Sequence, residues 1–343
     1  MSRRTLITIG GGAALVLVAL ICATLFGTAE LSLGKALAII GSAVGLPIER
    51  TWQTWEQTVV LDVRLPRALL GLFVGAGLSC CGAAMQALFR NPLAEPGVIG
   101  VSSGAAVGGV CAIFLGWASL SPWILPLLAF VGALVTTWTI YVVASRRGHV
   151  DVGVLLLAGV ALAALNGSLV SFLLSLSLAD WRISTSILQW TLGGLDSAGW
   201  EQLKVLLPIS LAGLAVIVAH AREMDLLLMG EVHAYSVGVD VSQVRRRLIV
   251  ATSAVAGAAV AVAGPIGFVG LVIPHILRLL VGPAHRVLLP ASLLIGGAFL
   301  VFADLIARTL IRPEEIRLGV ITALVGAPFF LFLLIRGRRE LSV

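Results

Sequence analysis

Residues 66–88 read PRALLGLFVGAGLSCCGAAMQAL, an apolar run in which Arg67 is the only charged side chain. A run of about 20 such residues suffices for a helix to cross a hydrocarbon core of roughly 30 Å. Gly71, Gly75, Ser79 and Ala83 recur in it at four-residue spacing. Helices in lipid have no hydrophobic drive to associate, so small residues that admit close backbone approach take its place. That spacing predicts packing within the chain and does not identify a dimer interface. Cys80 and Cys81 lie in the same run, and Cys22 and Cys111 in others. With no C-x-x-C pattern and no histidine beside them, all four read as small packing residues rather than a metal site or disulfide framework.

The character of 66–88 repeats along the chain. Of 343 residues, 59% are hydrophobic and 12% charged, against roughly 25% charged in a soluble domain. This excludes a water-soluble protein and leaves no room for a soluble catalytic domain. Ten spans are predicted, at 5–26, 66–88, 97–116, 123–143, 152–178, 199–219, 246–263, 266–281, 287–307 and 317–335. Ser2-Arg3-Arg4 precedes the first, but its apolar run exceeds the 7–15 residues of a signal core and no small-x-small site follows, so it is predicted to stay as a span. The expected fold is an all-α integral membrane protein of ten transmembrane helices, one transmembrane domain over 1–343. Spans 2–5 and 7–10 are offset by five, an odd number, so two such halves form an inverted repeat. Gly100, Gly104 and Gly108 in span 3 repeat the small-residue spacing, and Leu31–Gly45, with its lone Lys35, is predicted to lie flat on the outer interface.

Charge supplies the orientation. The net charge of +6 and pI of 9.8 do not indicate nucleic acid, because the basic residues, all arginine except Lys35 and Lys204, sit mostly in short loops between apolar runs. With Arg3 and Arg4 inside, 14 basic residues are cytoplasmic and 9 lie outside, as the positive-inside rule expects. Trp52, Trp55, Trp117, Trp123, Trp181, Trp190 and Trp200 fall near outer ends, where amphipathic rings favour the interface, and only Trp138 is mid-span. Both termini are therefore expected in the cytoplasm.

Some chemistry is missing. Ion-coupled transporters place ionisable groups near the bilayer midplane, and the spans are almost bare of them. Asp304 sits four residues before Arg308, where the two can pair. Glu201 and Lys204 mark the outer edge of span 6, and His275 and Arg278 the cytoplasmic end of span 8. No G-x-x-x-x-G-K-[ST] phosphate loop exists, since the only lysines are Lys35 and Lys204; ATP, if it drives transport, binds another polypeptide. The cytoplasmic loop at 221–245 is too apolar for a solvated linker and too short to span. Two short helices broken at Gly230 and Gly238 would present an apolar face, either to a partner or to lipid.

Arg64-Leu65-Pro66-Arg67, Arg90-Asn91-Pro92-Leu93-Ala94-Glu95-Pro96-Gly97, Leu155-Leu156-Leu157-Ala158-Gly159-Val160-Ala161-Leu162 and Gly264-Pro265-Ile266-Gly267-Phe268-Val269-Gly270-Leu271-Val272-Ile273-Pro274-His275-Ile276-Leu277-Arg278 resemble, in order, the FecCD-type permeases of type II ABC importers for ferric siderophores, haem and cobalamin. The resemblance runs from about residue 57 to the C-terminus. It implies a non-enzymatic permease subunit of the bacterial inner membrane without cofactor. Implied partners are two ATP-binding subunits, a periplasmic substrate-binding protein and a second permease copy, with the pathway at the homodimer interface. The loop matching Leu228, Gly230, Glu231, Ala234 and Gly238 would dock on the ATPase, with Glu231 and His233 as surface contacts. Arg64, Arg67 and Arg308 match positions that receive acidic residues of the binding protein; the alternative for them is snorkelling or pairing within the chain. No such role carries over to Arg312 or Arg317. The loop Asp151-Val152-Gly153-Val154 takes the place of a cytoplasmic gate, although a cobalamin permease carries small hydroxyl residues there.

For the cargo, Val98–Gly108 and Gln189–Trp200 are similar to haem-importing members. No strong axial iron ligand is expected on the way in. Every histidine, Tyr141, Tyr235 and all methionines map to the cytoplasmic side or inner half, which leaves Cys22 and Cys111 toward the outside, within apolar helix. The rival readings are an ion-coupled secondary transporter of a bulky organic substrate and a passive channel or scaffold.

Overall fold

The computed structural model describes residues 3–27, 31–146, 149–196, 198–311 and 314–340. Apolar sequence in lipid must satisfy every backbone group within its own segment, and the described residues comply by forming helices almost throughout. In order they are α1 (Arg3–Leu25), α2 (Leu33–Ala43), α3 (Thr54–Thr58), α4 (Leu65–Leu88), α5 (Val101–Phe114), α6 (Ile124–Ala144), α7 (Val152–Ser177), α8 (Trp181–Thr191), α9 (Trp200–Ala219), α10 (Ala221–Leu228), α11 (Glu231–Ser236), α12 (Val241–Ala263), α13 (Val269–Val281), α14 (His285–Thr309) and α15 (Leu318–Glu340). The one strand pairing among them is the two-residue antiparallel ladder of β1 (Ser145–Arg146) with β2 (His149–Val150), between α6 and α7.

Among the described residues, seven helical stretches are long and apolar enough to cross a membrane: α1, the continuous stretch Thr54–Leu88, α6, α7, α9, α12 and α14. With α5, α13 and α15 they occupy the ten predicted positions. Span 2 starts earlier than predicted, because α3 runs through a π turn (Val59–Arg64) into α4. Pro66 has no N–H for the Asp62 carbonyl, and the chain passes that point by widening its turn instead of ending the helix.

Spans 3 and 8 are shorter than predicted, for a shared reason. The 14 residues of α5 and the 13 of α13 cover only about 20 Å each. Each follows a non-helical segment that re-enters the bundle: residues 91–100, with a short 3₁₀ turn at Pro96–Ile99, and residues 264–268. Hydropathy cannot separate such segments from helix, since both are apolar.

The central helices are α4 and α12. α4 packs on α12, α13 and α14, while α12 packs on α4, α5 and α6, and this mirrored partner set is what an inverted repeat of spans 2–5 and 7–10 produces. Small residues make the contacts close. A Cβ built on Gly75 would strike the Gly296 carbonyl of α14, and one on Gly104 the Gly132 carbonyl of α6. The glycine stripes thus serve packing within the chain. α2 buries Ala36, Ile39 and Gly41, and its Lys35 Nζ lies 2.8 Å from Glu56 Oε1. α7 differs from the central spans: its main contacts among the described residues are with α5, α6, α8 and the 96–99 turn, and it is exposed around most of its circumference.

Candidate functional site

Three groups of candidate residues lie at three levels of the bundle. At one end, α10 and α11 join α9 to α12. α10 buries Ala221, Met224 and Leu227, and α11 buries Ala234. Asp225 fastens α10 to the start of α14, accepting from the backbone N–H of His285 at 2.9 Å and lying 2.6 Å from its Nδ1. Glu231 pairs with Arg245 of α12 at 2.6 Å. Gly230 has φ +115°, and nothing lies within 4 Å of a Cβ built on it. Its backbone conformation, rather than space, is what excludes a side chain there. Gly238, at φ +87°, ends α11, and Val239 N–H donates back to Ala234 O at 3.0 Å, a left-handed C-terminal cap. The predicted break into two short helices is present.

The opposite surface of this pair is apolar and open: Met229, Val232, Tyr235 and Val237 are exposed, Val232 at 85%. Beside them a groove of about 750 Å³ runs between Arg90 at the end of α4 and Gly230, Glu231, Val232 and His233. Leu228 is half-buried against the core behind.

At the opposite end the three candidate docking arginines come together, but facing inward. Arg67 is held by Asp304 through Nε at 3.1 Å and Nη2 at 2.9 Å, and by Glu315 through Nη2 at 2.9 Å. Arg64 Nη1 donates to the carbonyls of Thr24 at 3.0 Å and Leu25 at 2.7 Å, and Arg308 Nη2 to that of Ala23 at 2.5 Å. Those carbonyls belong to the last turn of α1, which has no intrahelical donors for them. Arg308 also lies 3.5 Å from Asp304. Exposure is 3% for Arg64, 9% for Arg67 and 5% for Arg308, so all three guanidinium groups are paired within the chain, the alternative that stood beside docking in the sequence. The physical reason is that Asp304 and Glu315 supply counter-charge to Arg67 and Arg308, while the open carbonyls of α1 supply acceptors to Arg64 and Arg308. Arg317 pairs with Asp196, and Arg312 lies outside the described residues.

Between the ends, the two half-helices start beside each other. Gly270 of α13 abuts Gly82 of α4, where an added Cβ would overlap the Gly270 carbonyl. Pro274 cannot donate to that carbonyl, and Gln86 Nε2, buried on α4, approaches it at 3.4 Å and the Leu271 carbonyl at 3.2 Å. Arg278 donates to Gln86 Oε1 at 3.1 Å. Glu95 accepts from the backbone N–H of Phe268, whose φ is +69°. With Leu78, Ser102, Ala256 and Gly267 it lines a small internal cavity, at the level of the middle of α4 and α12. Broken half-helices at corresponding positions of two repeats mark the substrate region in many transporters. Sequence reading passed over Glu95, which was visible only as part of a motif; a carboxylate between Pro92 and Pro96, at the head of an apolar run, was the available signal.

The predicted gate loop is compact. Asp151 caps α7, accepting from Val154 N–H at 3.1 Å, and its own N–H donates to Ala144 O at 3.0 Å. Val152 and Gly153 form the first turn of α7. A polar cluster joins α7 to its neighbours higher up, where the buried Asn166 donates to Ser103 Oγ at 3.1 Å and Thr136 Oγ1 at 3.3 Å. On the arginine side of the bundle, an open cavity of about 600 Å³ is lined by Ile113, Arg182, Ser186, Gln189, Trp190 and Arg317.

Residues 14–336 match the FecCD transport family. The chain is 49% identical over 296 residues to the cobalamin import system permease protein BtuC of Halobacterium salinarum, covering 85% of this chain and 77% of that protein. It is 41% identical over 300 residues to the hemin transport system permease protein HmuU of Yersinia pestis, covering 85% and 86%. Its fold superposes on a solved ABC transporter assigned to the metal-chelate type, in an inward-facing conformation, with TM-score 0.83, 31% identity and coverage of 96% and 98%. A family match over nearly the whole chain, on a bundle with two re-entrant half-helices and a helical pair projecting at one end, has one conclusion: the chain belongs to the FecCD transport family.

Proposed function

We propose that this chain is the membrane permease subunit of an ATP-driven importer, moving a metal chelate from periplasm to cytoplasm across the bacterial inner membrane. The observation that carries the reading is the α10–α11 pair. Its inner side is locked to the bundle by Asp225–His285 and Glu231–Arg245, and its outer side leaves Met229, Val232, Tyr235 and Val237 uncovered. A lever needs both a rigid attachment and a free contact face. The contact face is for a separate ATP-binding subunit, two per complex, with residues 228–238 carrying its movement into α12 and α14. In this reading both termini and α10–α11 face the cytoplasm.

The broad exposure of α7 supports a second copy against that helix, with the pathway between the copies and the turn at Asp151, Val152 and Gly153 as its cytoplasmic gate. A periplasmic binding protein docks at the end holding Arg64, Arg67 and Arg308. Because these are paired internally, their contribution is to hold α1, α4 and α14 in the shape the partner meets. Charge reversal at each would act through stability as well as association rate.

The proposed cargo is haem, on the similarity at Val98–Gly108 and Gln189–Trp200. Cobalamin is the second reading, favoured by the 49% identity to a cobalamin permease. The test is uptake of haem, cobalamin and a ferric siderophore into liposomes holding the permease with its ATPase and binding protein. ATP-dependent haem uptake supports the first reading, and uptake of cobalamin alone replaces it with the second. Uptake driven by an ion gradient without ATP overturns both.

A further inference from the structure

Trp138 is the one tryptophan away from the predicted outer ends, and the structure gives it a setting of its own. It is 60% exposed on α6 and stacks on Tyr141, ring centroids 5.8 Å apart at 28°. The two rings form one wall of an apolar groove of about 480 Å³ between α6 and α12, whose other wall carries Arg246, Ile249 and Val250. The hydroxyl of Thr137 is taken up by the Ile99 carbonyl at 3.3 Å and that of Thr139 by Val135 at 2.8 Å, which leaves hydrocarbon facing the opening. The floor includes Ser253, 2% exposed, whose hydroxyl has no partner among the described residues.

At the mouth of the groove stands Arg246, exposed on the second turn of α12, with no hydrogen bond or ion pair to any described residue. Its Cα is about 7.5 Å along the axis from the start of α12, within reach of the headgroups for a side chain that extends toward water. An unpaired cation above a dry groove is complementary to a molecule with an anion at one end and hydrocarbon at the other. A second copy covering the groove would instead have to bring a carboxylate to the guanidinium or bury it unpaired, which is strongly unfavourable. We propose that this groove binds one anionic glycerophospholipid from the leaflet on the α10–α11 side, with its phosphate at Arg246 and an acyl chain along Trp138 and Val250. The inference rests on the membrane-spanning fold and not on the proposed direction or driving force of transport.

The test uses the full chain in phosphatidylcholine bilayers doped with phosphatidylglycerol or phosphatidylcholine carrying brominated acyl chains, which quench nearby tryptophan. The Trp138 signal is the difference between the wild type and Trp138→Phe. Half-quenching is expected at about five-fold lower mole fraction for the brominated anionic lipid, the factor one basic residue contributes near an anionic headgroup. Arg246→Gln should merge the two curves, while Arg247→Gln, exposed but outside the groove, should leave them apart. Native mass spectrometry should find one phosphatidylglycerol retained per wild-type chain and none on Arg246→Gln. Equal quenching by both lipids in the wild type means ordinary boundary lipid and overturns the proposal. Equal loss in both arginine variants means diffuse surface charge and does the same, and no quenching by either lipid means the groove is covered by protein.

Discussion

Asp304 sits between Arg67 and Arg308 with 3% of its side chain exposed and neutralises charge on both. Removing one member of a buried ion pair leaves the other charge uncompensated, at a cost of about 3–5 kcal/mol. Asp304→Asn keeps the shape and removes the charge, so it should lower the unfolding free energy of the purified protein by that amount. Glu315 is a third exposed, and Glu315→Gln should cost under about 1 kcal/mol. Thermal unfolding in detergent checks the contrast, and equal losses from the two would show that the cluster is not organised around Asp304. Adding Arg67→Met to Asp304→Asn should recover part of the loss, because the orphaned charge goes with it. The i, i+4 pairing of Asp304 with Arg308 was legible in the sequence, being local. Its tighter bonds to Arg67, 237 positions away, and the capping of α1 by Arg64 and Arg308 were not, since no local pattern records which distant carbonyls a guanidinium will find.

The half-helices α5 and α13 carry the same lesson for elements. Hydropathy located them, because apolar length is a local sum, but their starts at Val101 and Val269 depend on where the chain turns inside the bundle, which glycine and proline permit without requiring. The contact that fixes α13 is Gly82 against the Gly270 carbonyl. Backbone lies on both sides of it, so no rotamer change relieves an added methyl. Gly82→Ala is therefore expected to destabilise by about 1–3 kcal/mol. Gly10→Ala, on α1 where nothing lies within 4 Å of the new Cβ, should be neutral or stabilising by up to about 1 kcal/mol. Matching changes in unfolding midpoint for both would remove the packing argument. The α10–α11 pair was legible as two short helices because Gly230 and Gly238 interrupt an apolar stretch, while its anchors on His285 and Arg245 were not. Gly230→Val forces a β-branched residue to φ +115°, and Glu231→Arg sets two cations together at Arg245. Both should leave the bundle folded while reducing ATPase co-purification or releasing ATP hydrolysis from cargo uptake. Wild-type association and uptake in both variants would end the coupling proposal.

For the whole molecule, the mirrored contacts of α4 and α12 mean that each half buries the other's central helix, so neither half is expected to hold its structure alone. Sequence alone reached the count of spans and their inverted relation, both consequences of apolar length and odd offset. The location of the pathway was beyond it, since that depends on which faces remain uncovered after folding. Orientation bears on everything proposed here, because the lever, the gate and the lipid leaflet exchange sides if it is reversed. The proposed cytoplasmic position of α10–α11 rests on the bias of 14 basic residues to 9 and on the tryptophans at the opposite ends. Two single cysteines test this in a background lacking the four native ones, all free thiols within helices. Val232→Cys replaces a residue 85% exposed on α11, and Lys204→Cys one whose side chain is 68% exposed near the start of α9. In intact cells a membrane-impermeant maleimide should label position 204 and leave 232 unreacted until the membrane is opened. Labelling of 232 from outside would put the lever in the wrong compartment for a cytoplasmic ATPase, and the import reading would fall with it. Labelling of 204 alone, followed by protection of 232 in opened membranes when the ATPase is present, would fix both the orientation and the docking face in one measurement.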